Sequence, residues 1–221
     1  MNMNKIFLFI SLLVGYTVSA QNNYIGKSDP EARQILKNVS SKYKNYKSLT
    51  SNFTLQVQNS EGKTVGTQSG TIYMKGNKFR INSGDDAIFS DGKTIYNYNK
   101  DAREIQLTTF DPKDNTITPQ KLFTDFYEKD FLYKLNDEYK KEGKTIQEVE
   151  LTPTDKTQPY FKIVLNIDKA NKSILSSKVF EKNGNRYLYT IKSVTPNKAI
   201  ADNQFTFAAS AYPGVEVIDL R

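Results

Sequence analysis

The 221-residue chain contains no cysteine, no histidine and no tryptophan. Without cysteine there can be no disulfide, and without cysteine or histidine there can be no structural zinc, haem or iron–sulfur site of the usual ligand sets. Nucleophilic triads of the Ser-His-Asp or Cys-His kind are excluded for the same reason. Any catalysis would have to be built from carboxylates, lysine, arginine and tyrosine. Glycine (11) and proline (7) are sparse. What the chain has instead is 14 tyrosines and 13 phenylalanines within a composition only 38% apolar. Such aromatic enrichment favours β-structure or an aromatic-lined binding surface.

The first twenty residues read as a secretory signal peptide. A short basic start, Met1 to Lys5, precedes an apolar run from Ile6 to Val14, and Val18-Ser19-Ala20 supplies small or β-branched residues before Gln21. At about nine residues the run is far below the roughly twenty needed to span a bilayer. Cleavage after Ala20 leaves residues 21–221 as one exported domain. No cysteine stands at that junction to be lipidated. Loss of Lys5 lowers the formal charge of +7 by one. For an exported protein this excess points to an anionic membrane surface or an acidic protein, not to nucleic acid, as partner.

Asp29-Pro30-Glu31 is a helix start, with a capping Asp, Pro at the first position and Glu in the first turn. Ile35, Leu36, Val39, Tyr43 and Tyr46 then repeat at helical spacing, predicting an amphipathic helix over 30–47. From Leu49 the period becomes two. Strands are expected at 49–57, 64–75, 78–83, 87–90, 93–99 and 103–108, with Asp91-Gly92 as a hairpin turn. Pro119 opens a second short helix to Lys129, carrying Leu122, Phe123, Phe126 and Tyr127. Strands resume at 131–136, 146–151, 160–167, 173–181 and 186–194, and short closing strands are expected at 205–207 and 215–220. The fold class is mainly β with helical interruptions. So wide an antiparallel sheet must curl strongly or close, with the apolar helix faces packed against its concave side.

Gly-Lys-Thr occurs at 62–64, 92–94 and 143–145, but each lacks the glycine a phosphate-binding loop needs and sits between strands. Glu148 and Glu150 share a strand face, as a glycosidase pair does, although exposed paired carboxylates on a strand are ordinary.

At Ser90-Asp91-Gly92-Lys93-Thr94, followed by the strand to Asn99, the sequence resembles the LolA family of periplasmic outer-membrane lipoprotein carriers. Leu49 to Val57, Gly70 to Lys75, Val149 to Pro153, Phe205-Thr206-Phe207 and Pro213 to Asp219 match further segments of that family in order. The resemblance implies an incomplete β-barrel with helices lidding an apolar cavity, and a non-enzymatic, monomeric chaperone without cofactor. It would accept acylated lipoproteins from an inner-membrane ABC transporter, cross the periplasm, and deliver them to the outer membrane by way of an acceptor the sequence does not identify. A lipid-binding or envelope-stress sensor on the same fold is the alternative, and a hydrolase using Glu148 and Glu150 a more distant one.

Alternation and the resemblance together give the expected acyl-binding residues: Val39, Tyr43 and Tyr46 from the first helix, Phe53, Leu55, Ile72, Phe79, Ile81, Ile88 and Leu107 from the sheet, and Leu122, Phe126 and Phe131 from the second helical region. In the family an arginine after the second strand latches the lid. Here Gly76-Asn77 replaces the Arg-Pro, leaving Lys75 and Arg80 as latch candidates, and Tyr43 stands at a usually apolar lid position.

Overall fold

The computed structural model describes residues 27–111 and 130–221. The expected signal segment, the expected second helix and the site candidates Leu122 and Phe126 lie outside the described residues. Among the described residues one α-helix, α1 (Pro30–Lys44), precedes twelve strands: β1 (Leu49–Gln58), β2 (Thr64–Lys75), β3 (Lys78–Ser83), β4 (Asp86–Ser90), β5 (Thr94–Asn99), β6 (Glu104–Thr109), β7 (Phe131–Lys141), β8 (Lys144–Pro153), β9 (Tyr160–Asp168), β10 (Ser173–Glu181), β11 (Arg186–Pro196) and β12 (Glu216–Asp219). They form one curved sheet in the order β12-β6-β5-β4-β3-β2-β1-β11-β10-β9-β8-β7. Two meanders, β1 to β6 and β7 to β11, are zipped together where β1 pairs with β11. Among the described residues β7 and β12 do not pair with each other, so the barrel stays open.

The three Gly-Lys-Thr segments are turns. Gly62, Gly92 and Gly143 have φ of 83°, 91° and 74°, the left-handed conformation that glycine adopts without steric penalty.

α1 covers one face of the sheet, here termed the inner face. Ala32, Ile35, Leu36, Val39 and Tyr43 are its buried stripe, in the apolar spacing the sequence shows. Both ends are fastened. The Asp29 carboxylate accepts the Glu31 N–H at 2.9 Å and the Leu135 N–H at 3.1 Å, while the Asp29 N–H donates to the Tyr133 carbonyl at 2.8 Å. One residue thus caps the helix and satisfies part of the free edge of β7. Near the other end Lys42 donates to the Asn171 carbonyl at 2.6 Å and to the Ser173 hydroxyl.

The expected strand at 205–207 is a correction. Residues Asp202–Phe205 form a 3₁₀ turn, and Phe205 is fully buried. The Phe-x-Phe alternation imitates a strand, but Phe207 instead helps to cover the outer face of the sheet. There Phe207, Tyr212 and Val215 pack on Ala87, Phe89, Tyr96, Ile105 and Leu107. Only β12 at the end of this C-terminal strap joins the sheet, parallel to β6.

Candidate functional site

Strand register decides which predicted residues share a face. Leu49, Phe53 and Leu55 of β1 alternate inward, and across the ladder Met74 pairs with Phe79 and Ile72 with Ile81. All seven belong to one apolar cluster with the stripe of α1. From the other meander the same cluster takes Phe131 and Tyr133 of β7, Val149 and Leu151 of β8, Ile163, Leu165 and Ile167 of β9, and Val179, Tyr189 and Ile191 of β10 and β11.

Nine of the expected acyl-binding residues therefore meet: Val39, Tyr43, Tyr46, Phe53, Leu55, Ile72, Phe79, Ile81 and Phe131. Two do not. Ile88 pairs with Ile81 and so lies on the inner face, but it is 41% exposed, because the helix does not extend over this part of the sheet. Leu107 is on the outer face. Ile88 pairs with Asn97 and Asn97 with Gln106, so the next residue, Leu107, points the other way and packs under the strap beside Phe89 and Tyr96. One residue of parity separates the two assignments.

Lys75 and Arg80 also face outward, and both have partners in the strap. Lys75 donates to the Ile200 carbonyl at 3.1 Å and pairs with Asp202 at 2.9 Å, with Lys78 adding a second contact to Asp202 at 3.2 Å. These lysines hold the Asp202 carboxyl below the usual carboxylate range. Arg80 lies 4.5 Å over the Phe89 ring and donates to the Tyr212 hydroxyl at 3.0 Å. As latches, they fasten the C-terminal strap and not α1. The fastening of α1 comes from Asp29 and Lys42, neither of which the sequence pattern singles out as a latch.

Of the cluster residues that the expectation omits, among them Met74, Tyr133, Leu151 and Ile163, the aromatic beside Phe53 is Tyr189. Its ring lies 6.1 Å from that of Phe53, and burial raises its hydroxyl pKa. The alternating Tyr187 and Tyr189 were legible as a shared face, but only the register of β11 against β1 brings that face to the helix side.

Tyr43 stacks edge-on to Tyr46 at 5.7 Å, and burial pushes its hydroxyl pKa up to about 12. The unfolded chain would ionise this phenol near pH 10, the folded chain two units higher. Above pH 10 the unfolded state therefore binds fewer protons, and folding stability falls as pH rises towards 12. The loss expected from this group is about 3 kcal/mol. Tyr43→Phe should flatten that part of the alkaline limb in urea unfolding measured at successive pH values.

Glu148 and Glu150 project from the outer face. Asn136 donates to both carboxylates, at 3.3 and 3.1 Å, and Lys162 lies 3.8 Å from Glu150. They line no cleft with the apolar cluster. Among the described residues no group of three or more Asp and Glu is placed to hold a metal ion, and no helix is long and apolar enough to cross a membrane.

The model of the LolA family, described as outer membrane lipoprotein carrier protein LolA, matches residues 44–208. No curated protein matches by sequence. An uncharacterized conserved protein of Thermus thermophilus is similar in structure, with a TM-score of 0.56 at 14% identity over 86% of this chain and 99% of its own. That likeness shows the fold alone. A LolA superfamily protein of Nitrosomonas europaea superposes with a TM-score of 0.42 at 12% identity, covering 80% of this chain and 97% of its own. For LprF of Mycobacterium bovis the values are 0.44 and 14%, with 80% and 97% covered.

Proposed function

Because the chain belongs to the LolA family of outer membrane lipoprotein carrier proteins, we propose that it shelters the acyl chains of lipoproteins on the inner face of its sheet. In this reading it takes them from an inner-membrane ABC transporter and carries them through the periplasm to the outer membrane. The observation that carries the proposal is the continuity of the inner face. An apolar surface begins under α1 and runs past the helix, through half-buried Leu55 and Ile81, to Ile88, which is open to water. Each methylene withdrawn from water is worth about 0.8 kcal/mol, so one long acyl chain costs on the order of 10 kcal/mol to expose. A carrier needs such a surface, together with a cover that is fastened at its ends and not fused to the sheet. It needs no covalent chemistry.

The test is native mass spectrometry of the protein purified from the periplasm without detergent, followed by extraction of whatever is bound. Acylated lipoproteins are the expected cargo. Recovery of free lipid alone would transfer the protein to the alternative reading, a lipid-binding or envelope-stress sensor. An unliganded mass after over-expression of lipoproteins would overturn both.

A further inference from the structure

The strap covers the outer face over β4, β5 and β6 and is held to β2 and β3 through Lys75 and Arg80. Over β9, β10 and β11 the outer face carries a different surface. Lys162 pairs with Phe180, and Phe180 with Arg186, across three adjacent strands. The next rung runs from Val164 through Lys178 to Leu188. Three cations therefore surround one ring: Lys162 Nζ lies 4.7 Å, Lys178 Nζ 5.4 Å and the Arg186 guanidinium carbon 5.7 Å from its centroid. A register shift between Phe180 and Glu181 leaves Phe161 without a rung of its own. Its ring lies 6.1 Å from that of Phe180, and the residue is 48% exposed.

We propose that this cationic-aromatic patch docks the protein on an anionic phospholipid surface. Three positive groups meet there beside Glu150, 3.8 Å from Lys162, with Glu148 two residues along the same outer face. Burial and the charge of Arg186 depress the Lys178 pKa, so the crowding carries a cost that an external anion relieves. The strands beneath the patch are interior, each hydrogen-bonded on both sides, so no edge is offered for a peptide to extend. What the patch presents is a broad face with an aromatic wedge and a basic girdle around the Phe180 ring. That suits a planar interface, where Phe161 enters the acyl boundary and the cations meet phosphates. The patch is on the face opposite the apolar cluster, so docking leaves the inner face free. The proposal does not depend on what the inner face carries.

Co-sedimentation of the purified protein with vesicles tests it. Mixed phosphatidylglycerol–phosphatidylcholine vesicles should bind it, pure phosphatidylcholine should not, and added salt should weaken the binding. Removing each cation should cost about fivefold, so Lys162→Gln with Lys178→Gln lowers partitioning about 25-fold. Phe161→Ser should lower it on the order of tenfold. Lys140→Gln with Lys141→Gln, an equal charge change on exposed β7, is the control and should change it little. Equal binding to both vesicle types, or an equal loss in the control, would overturn the proposal. So would binding of a glutamate-rich peptide at the patch without vesicle binding. If the lysine pair fails to fold, Phe161→Ser and the salt dependence decide alone.

Discussion

Replacing Ile81 with glutamate is expected to lower the affinity for a fluorescent acyl probe at least 100-fold while leaving the protein folded. Ile81 is half-buried at the margin of the apolar cluster, between Ile72 on β2 and Ile88 on β4. In the empty protein a carboxylate there reaches water. Once an acyl chain lies across the margin it does not, and an unpaired buried carboxylate costs several kcal/mol. A loss of about 3 kcal/mol already corresponds to more than 100-fold in affinity. Ile88→Glu, further out on the same face, should cost less, about tenfold, because Ile88 is open to water even without cargo. Leu220→Glu, an exposed residue after β12, should cost nothing. Fluorescence titration with all three variants separates a surface that follows the rung Ile72, Ile81, Ile88 from general lipid adhesion. Equal loss in Leu220→Glu, or none in Ile81→Glu, would remove the inner face as the binding surface.

Much of this site was legible before the structure because it depends on local pattern. The start of α1 is written in Asp29-Pro30-Glu31, and the helix forms as those residues direct. Within β1, β2 and β3, alternation alone orients Phe53, Leu55, Ile72, Phe79 and Ile81 correctly, since the turn between β2 and β3 pairs Lys75 with Lys78 and keeps the faces in step. Beyond that the sequence ceases to determine the face. Ile88 and Leu107 look equivalent as apolar strand residues, and only the pairing through Asn97 and Gln106 shows that they lie on opposite sides. Lys75 and Arg80 are in the right strands for a latch, but what they hold depends on the route of the C-terminal chain, which no local signal encodes. The outward turn of Phe161 arises from a register irregularity between β9 and β10. A bulge of this kind re-aims one side chain without changing the alternating pattern that a sequence presents.

Gly70→Ala is expected to destabilise the protein by about 2–3 kcal/mol, although glycine-to-alanine within a strand ordinarily stabilises by about 0.5–1 kcal/mol. The sign reverses because of space. Gly70 pairs directly with Phe53, whose ring lies across it. An added Cβ would sit 2.3 Å from Phe53 Cζ, 2.6 Å from Cε1 and 2.5 Å from the backbone oxygen of Asn82. The ring cannot swing clear. Phe53 is 4% exposed and meets Tyr189 on the neighbouring strand, so relief requires moving the inner cluster or separating β2 from β3. For a domain of this size each kcal/mol shifts Tm by about 2–4 °C, which makes the expected fall about 5–10 °C. Phe53→Leu should cost stability alone yet recover part of the loss when combined with Gly70→Ala, since the shorter side chain vacates the space above the glycine. The two changes should therefore be non-additive in thermal and urea unfolding. A Gly70→Ala protein as stable as the parent would mean that Phe53 does not lie over β2, and with it would go the alignment that places Phe53, Ile72 and Tyr189 on one face beneath α1.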